Sequence, residues 1–164
     1  MTSIRRLLVL VAACSLALAA VSTAGSSGRA LTPAAYTKQA TALCVTANKR
    51  IAALPKSTST KPAAIAKSLD KALGALSPLL ADFRKLSPPP AKKALHTSTI
   101  EGLTDGLALG RQISKLIAKG SDLQKAIATV QTPFLQALSA IQNGFKGLGL
   151  TPCESVLGSA LGGA

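Results

Sequence analysis

A chain of 164 residues that is 48% hydrophobic but only 2% aromatic is sized for one domain and must build its core from Leu, Ile, Val and Ala. Such a composition favours close-packed helices over a β-sandwich, whose strands draw on aromatic and β-branched residues. Nineteen Lys and Arg against six Asp and Glu give a formal charge of +13, and six acids with a single histidine leave little material for acid–base or metal chemistry.

The first two dozen residues read as an export signal. Arg5 and Arg6 form a positive n-region, residues 7–21 are apolar except at Cys14 and Ser15, and Ser22, Thr23, Ala24 and Gly25 are small enough for a cut after Ala24. Residues 1–24 are therefore expected to be a signal peptide, and losing its two arginines leaves a charge of +11. A second reading stays open at Cys14. Val11-Ala12-Ala13-Cys14 has the form of a lipobox, which would attach a lipid to Cys14 and tether the protein to a membrane. The apolar run that continues over residues 15–21 differs from the polar tether that usually follows a lipidated cysteine. The expected location is secreted or the extracytoplasmic envelope, with the membrane-anchored lipoprotein as the alternative. No later apolar run reaches spanning length, so no transmembrane span is expected in the mature chain.

Export implies an oxidising compartment, where Cys44 and Cys153 most simply form one disulfide around a loop of about 110 residues. Residues 25–31 read as a flexible lead-in. Thr32-Pro33 then gives an N-cap followed by proline at the first helical position. Tyr36, Ala40, Leu43, Ala47, Ile51 and Leu54 recur at spacings of three and four, and Pro55 ends the run.

A second helix is predicted over 61–86, with Ile65, Leu69, Leu73 or Ala72, Leu76, Leu80 and Phe83 on its apolar face. Pro78 falls inside it and is expected to kink or split it. Ser87-Pro88-Pro89-Pro90 is a firm break. The third helix, over 90–119, carries Leu95, Leu103, Leu107, Ile113, Leu116 and Ile117. Gly102, Gly106 and Gly110 stack along one face of it, which points to close approach of a neighbouring helix.

For the fourth helix, Ser121-Asp122-Leu123-Gln124 reads as a capping box with Ser121 as the N-cap. Leu123, Ile127, Val130, Phe134, Ala137, Ile141, Phe145 and Leu148 then repeat like a bundle stripe, with a kink expected at Pro133. Residues 154–164 read as a flexible tail. The sum is an all-α fold: an antiparallel, up-down-up-down four-helix bundle over residues 32–153, closed by one disulfide.

The basic residues fall near helix ends, where they complement the helix dipoles. They also supply candidate contacts for an anionic partner: Lys49, Arg50, Lys56, Lys61, Arg84, Lys85, Lys92, Lys93, Arg111, Lys115 and Lys119. In the expected topology they gather at the two poles. His96 lies five residues from Glu101, off the spacing that would join them on a helix, and reads as a surface residue. Asp82 reads as a solvated charge beside Arg84 and Lys85. No HExxH, GxSxG, P-loop or dinucleotide fingerprint occurs. No catalytic residue, metal or cofactor is therefore expected. The four aromatic side chains are needed in the core, which leaves no stacking platforms for specific nucleic-acid binding.

Three segments carry a resemblance: Tyr36-Thr37-Lys38-Gln39-Ala40 with Cys44 and Asn48-Lys49-Arg50-Ile51, then Leu86-Ser87-Pro88-Pro89, then Leu148-Gly149-Leu150-Thr151-Pro152-Cys153. With these the chain resembles small exported helical proteins, some of them lipoproteins, of high-GC Gram-positive bacteria. The resemblance implies paired cysteines and a helical fold, and no activity. The expectation is a non-catalytic envelope or extracellular binding protein that contacts anionic polymer or phospholipid headgroups. The alternative is a small apolar-ligand carrier with a cavity between its helices. Neither reading fixes an oligomeric state.

Overall fold

The computed structural model describes residues 30–55 and 59–162, with side chains through residue 156. The expected signal peptide over 1–24, Cys14, Lys56 and most of the expected lead-in lie outside the described residues. Among those described are five helices: α1 (Pro33–Ala52), α2 (Pro62–Phe83), α3 (Lys93–Ala118), α4 (Leu123–Leu148) and α5 (Thr151–Gly162). A short 3-10 turn, Pro90–Lys92, leads into α3.

Local chemistry sets the helix ends. The Thr32 hydroxyl accepts from the Ala35 N–H at 3.3 Å, with Pro33 opening α1. On α4 the N-cap is Asp122, not Ser121: its Oδ1 accepts from the Lys125 N–H at 2.7 Å. A carboxylate there answers the positive end of the helix dipole as well as a free N–H, which a serine does not. Both α3 and α4 close on a left-handed glycine. Gly120 (φ 94°) and Gly149 (φ 73°) each let the next residue donate back five positions, Ser121 to Leu116 and Leu150 to Phe145.

The prolines do not split their helices. α2 runs through Pro78 and α4 through Pro133 as single elements. Beside the gap in the α2 ladder, the Ser77 hydroxyl donates to the Leu73 carbonyl at 2.9 Å. The lead-in is tied at its described end, because the Leu31 N–H donates to the Ser87 carbonyl at 2.9 Å.

Successive helices pack on each other, α1 on α2, α2 on α3 and α3 on α4. The pairings of Ser114 with Ala66 and of Arg84 with Thr104 set α2 antiparallel to α3. The facing of Gly102 with Ala140 and of Gly147 with Leu95 does the same for α3 and α4. A Cβ added at Gly102 would lie 3.1 Å from the Ala140 Cβ, and one at Gly110 would lie 2.6 Å from the Leu73 Cδ2. The glycines of α3 therefore serve two neighbours, α4 and α2, which is why residues four apart need not share one partner.

The tail expectation gives way at α5. Residues 151–162 are helical, and Leu150, Cys153 and Val156 are buried in the main core. α5 packs on both α1 and α4, and so completes the ring that those two helices do not close through an extended face of their own. The Cys44–Cys153 disulfide, with Cα atoms 4.9 Å apart, fastens α5 to α1. Asn48 adds a polar clamp, its amide donating to the Pro152 carbonyl and the Ser155 hydroxyl, each at 2.9 Å.

The core has two parts. The larger unites all five helices and holds Tyr36, Phe83, Phe145, Leu148 and Leu150. The smaller, with Ala66, Ile113, Ile117, Ala126 and Val130, belongs to α2, α3 and α4 alone. Leu95, Leu123 and Ile127, which the sequence stripes place inward, are exposed.

Candidate functional site

Three features could bear on function: a buried aromatic–histidine cluster, a cleft between α3 and α4, and the exposed cations.

The cluster forms where the starts of α1 and α3 meet the ends of α2 and α4. His96 is buried, not a surface residue, at 5% exposure. It shares a hydrogen bond of 2.9 Å between its Nδ1 and the Tyr36 hydroxyl. Its ring stacks on Phe83 at 5.5 Å, and Phe83 meets Phe145 edge-on at 6.0 Å. Burial holds the imidazole below its ordinary pKa, and burial pushes the Tyr36 phenol up to about 12. The bond joins a neutral imidazole to a neutral phenol, so each is partnered in its uncharged form. Lys92 caps the cluster. Its ammonium donates to the Leu148 carbonyl at 2.8 Å and stands 5.8 Å from the centre of the Tyr36 ring. The arrangement is a packed polar pair inside an apolar core.

His96 was legible in principle. It stands seven residues before Leu103 and eleven before Leu107, which puts it on the inward face of α3.

The cleft, of about 500 Å³, opens between α3 and α4. Gly102, Ala137 and Ala140 floor it, and Glu101 and Asp105 stand among its walls. Both carboxylates are exposed. Among the described residues no group of three or more His, Cys, Asp or Glu is gathered as a metal would need. No helix among them is long and apolar enough to cross a membrane.

The candidate cations divide into two sets. One set is engaged within the fold. Arg84 donates to the Thr104 hydroxyl at 2.8 Å, Arg111 to the Ser77 hydroxyl at 3.1 Å, Lys92 to Leu148, and Lys85 pairs with Asp82 at 2.8 Å. The other set, Lys49, Arg50, Lys61, Lys93, Lys115 and Lys119, is exposed. Lys85–Asp82 is the one ion pair among the described residues. Lys93 belongs to the end that carries the aromatic cluster. Lys49 and Arg50 close α1, Lys61 precedes α2, and Lys115 and Lys119 close α3, all towards the opposite end. Lys125, in the first turn of α4, joins them there and is also exposed. Its place was readable from the capping signal two residues before Leu123.

No family model, curated protein or solved structure matches this chain.

Proposed function

We propose that the protein is an exported, non-catalytic binding protein of the envelope or extracellular space. In this reading its four long helices run up-down-up-down, and its exposed lysines and arginines hold an anionic polymer or phospholipid headgroups. The carrying observation is the shortage of carboxylate partners for these cations: one ion pair among the described residues, at Lys85–Asp82. Cations left to solvent at adjoining helix ends raise the local potential and draw in a multivalent anion. At the end opposite the aromatic cluster, Asp122 is the acid closest to Lys119 and Lys125 in sequence, and its carboxylate is engaged as the α4 N-cap.

For the carrier alternative, the cleft that lies between helices is the one of α3 and α4, beside Pro133. Two exposed carboxylates in its walls suit an acyl chain poorly, and this favours the binding reading.

The test is retention on an immobilised anionic polymer and on anionic vesicles across a salt series. Retention should fall steeply as added salt shortens the Debye length to about 8 Å at physiological ionic strength and below that at higher salt. Retention that is absent at low salt, or independent of salt, removes the electrostatic mechanism.

A further inference from the structure

We infer that the end of the molecule built from the last turn of α3 and the first two turns of α4 docks on an anionic phospholipid bilayer, with Leu123 and Ile127 entering the interface and Lys115, Lys119 and Lys125 binding the headgroups. The inference rests on the electrostatic reading above and names the face and the partner.

The helices differ in reach away from the aromatic cluster. From Tyr36 in the aromatic cluster, α1 continues 16 residues to Ala52, about 24 Å at the α-helical rise. From Phe145 in the same cluster, α4 extends 22 residues back to Leu123, about 33 Å. α1 therefore stops roughly 9 Å short of the start of α4. The smaller core reflects this shortfall, since α2, α3 and α4 supply all its buried residues.

The apolar stripe of α4 nevertheless continues to its first residue. Leu123 and Ile127 lie on the same side as buried Ile141 and Phe145, yet they are 41% and 37% exposed. Core-facing leucine and isoleucine left uncovered are an unspent apolar face. Lys119 and Lys125 flank it in sequence at four residues before and two after Leu123, and Lys115 lies one turn further back on α3. All three ammonium-bearing residues are exposed and, among the described residues, have no carboxylate within ion-pair distance.

Large apolar side chains at a helix end that also presents exposed lysines are what an anionic bilayer surface recognises: hydrocarbon for the first, phosphate for the second. A soluble polyanion would use the lysines and leave the leucine and isoleucine idle. The apolar pair thus selects the bilayer over the polymer.

The chain contains no tryptophan, so a single introduced indole reports its own surroundings. The oxidised protein is mixed with phosphatidylcholine vesicles with and without phosphatidylglycerol, and in parallel with inorganic polyphosphate. Binding to phosphatidylglycerol vesicles is expected, with a blue shift of I127W emission and none for A94W at the opposite end of α3. The pair L123S/I127S should bind the vesicles about tenfold more weakly while binding polyphosphate as before. L135S is the matched control. Leu135 is 56% exposed but lies 12 residues from Leu123, about 120° round the helix, and its loss should leave vesicle binding unchanged. Thermal melting checks that each variant is folded.

Vesicle binding with L123S/I127S equal to wild type and I127W unshifted overturns the docking face and leaves the electrostatic reading standing. Binding to polyphosphate but not to vesicles does the same. Binding to neither removes both.

Discussion

At the scale of single residues, the His96–Tyr36 pair makes stability depend on pH in two windows. In an unfolded chain the imidazole titrates near 6.5, and burial lowers that value in the fold, so the unfolded state takes up the proton first. Stability is full above about pH 6.5 and falls as the pH drops towards the folded value. The phenol works in the other direction. Its pKa rises from 10.0 to about 12, so the unfolded chain loses that proton first, and stability declines as the pH climbs above 10.0. Denaturant midpoints between pH 7.5 and 5 should fall for the wild type and stay flatter for His96→Leu. Tyr36→Phe should cost about 1–3 kcal/mol at neutral pH, because it leaves the His96 Nδ1 without its partner in the core. A midpoint independent of pH in the wild type would deny the pair its energetic role. The pair was half legible. Tyr36 opens a clear apolar stripe, whereas a lone histidine reads by type as polar surface unless its register against Leu103 and Leu107 is weighed first.

At the scale of elements, the four long helices could be read closely because proline, threonine and aspartate punctuate the chain at their starts. The fifth could not be read in the same way. Gly158 and Gly162 lower the helix propensity of α5, and its stability comes from burial of Cys153 and Val156 against a surface that does not exist in the sequence. A start signal was nevertheless present: Thr151, Pro152 and Glu154 are a hydroxyl, a proline and a carboxylate in one turn. Glycine tells a similar story, since the same residue means different things at different places. Gly74 on α2 has nothing within 4 Å of where a Cβ would stand, so Gly74→Ala should stabilise by about 0.5–1 kcal/mol through helix propensity alone. At Gly144 a Cβ would meet the Thr99 side chain and come within 3.4 Å of its Cα, so Gly144→Ala should lower the melting temperature. Equal shifts for the two variants would mean that propensity, not the α3–α4 approach, governs both.

At the scale of the whole molecule, composition and stripe spacing were enough to give an all-α bundle and the cysteine pair. The way the bundle closes was not readable, because it depends on the mismatch between a 20-residue α1 and a 26-residue α4. That mismatch leaves one end to α2, α3 and α4, while α5 packs on both α1 and α4. The disulfide spans a sequence separation of 109, and closing so long a loop should contribute about 4–5 kcal/mol by restricting the unfolded chain. Urea melts of Cys44→Ser/Cys153→Ser against the oxidised wild type should differ by that amount, and a difference near zero would place the stability elsewhere.

The bond between α1 and α5 also has a consequence for damage. The connections between α1 and α2, between α2 and α3, and between α3 and α4 all lie inside the loop it closes. A protease that cuts at an exposed point such as Lys119-Gly120 frees no fragment, because both pieces remain joined through sulfur and through the shared core. One broken peptide bond anywhere between Cys44 and Cys153 leaves the protein a single molecule.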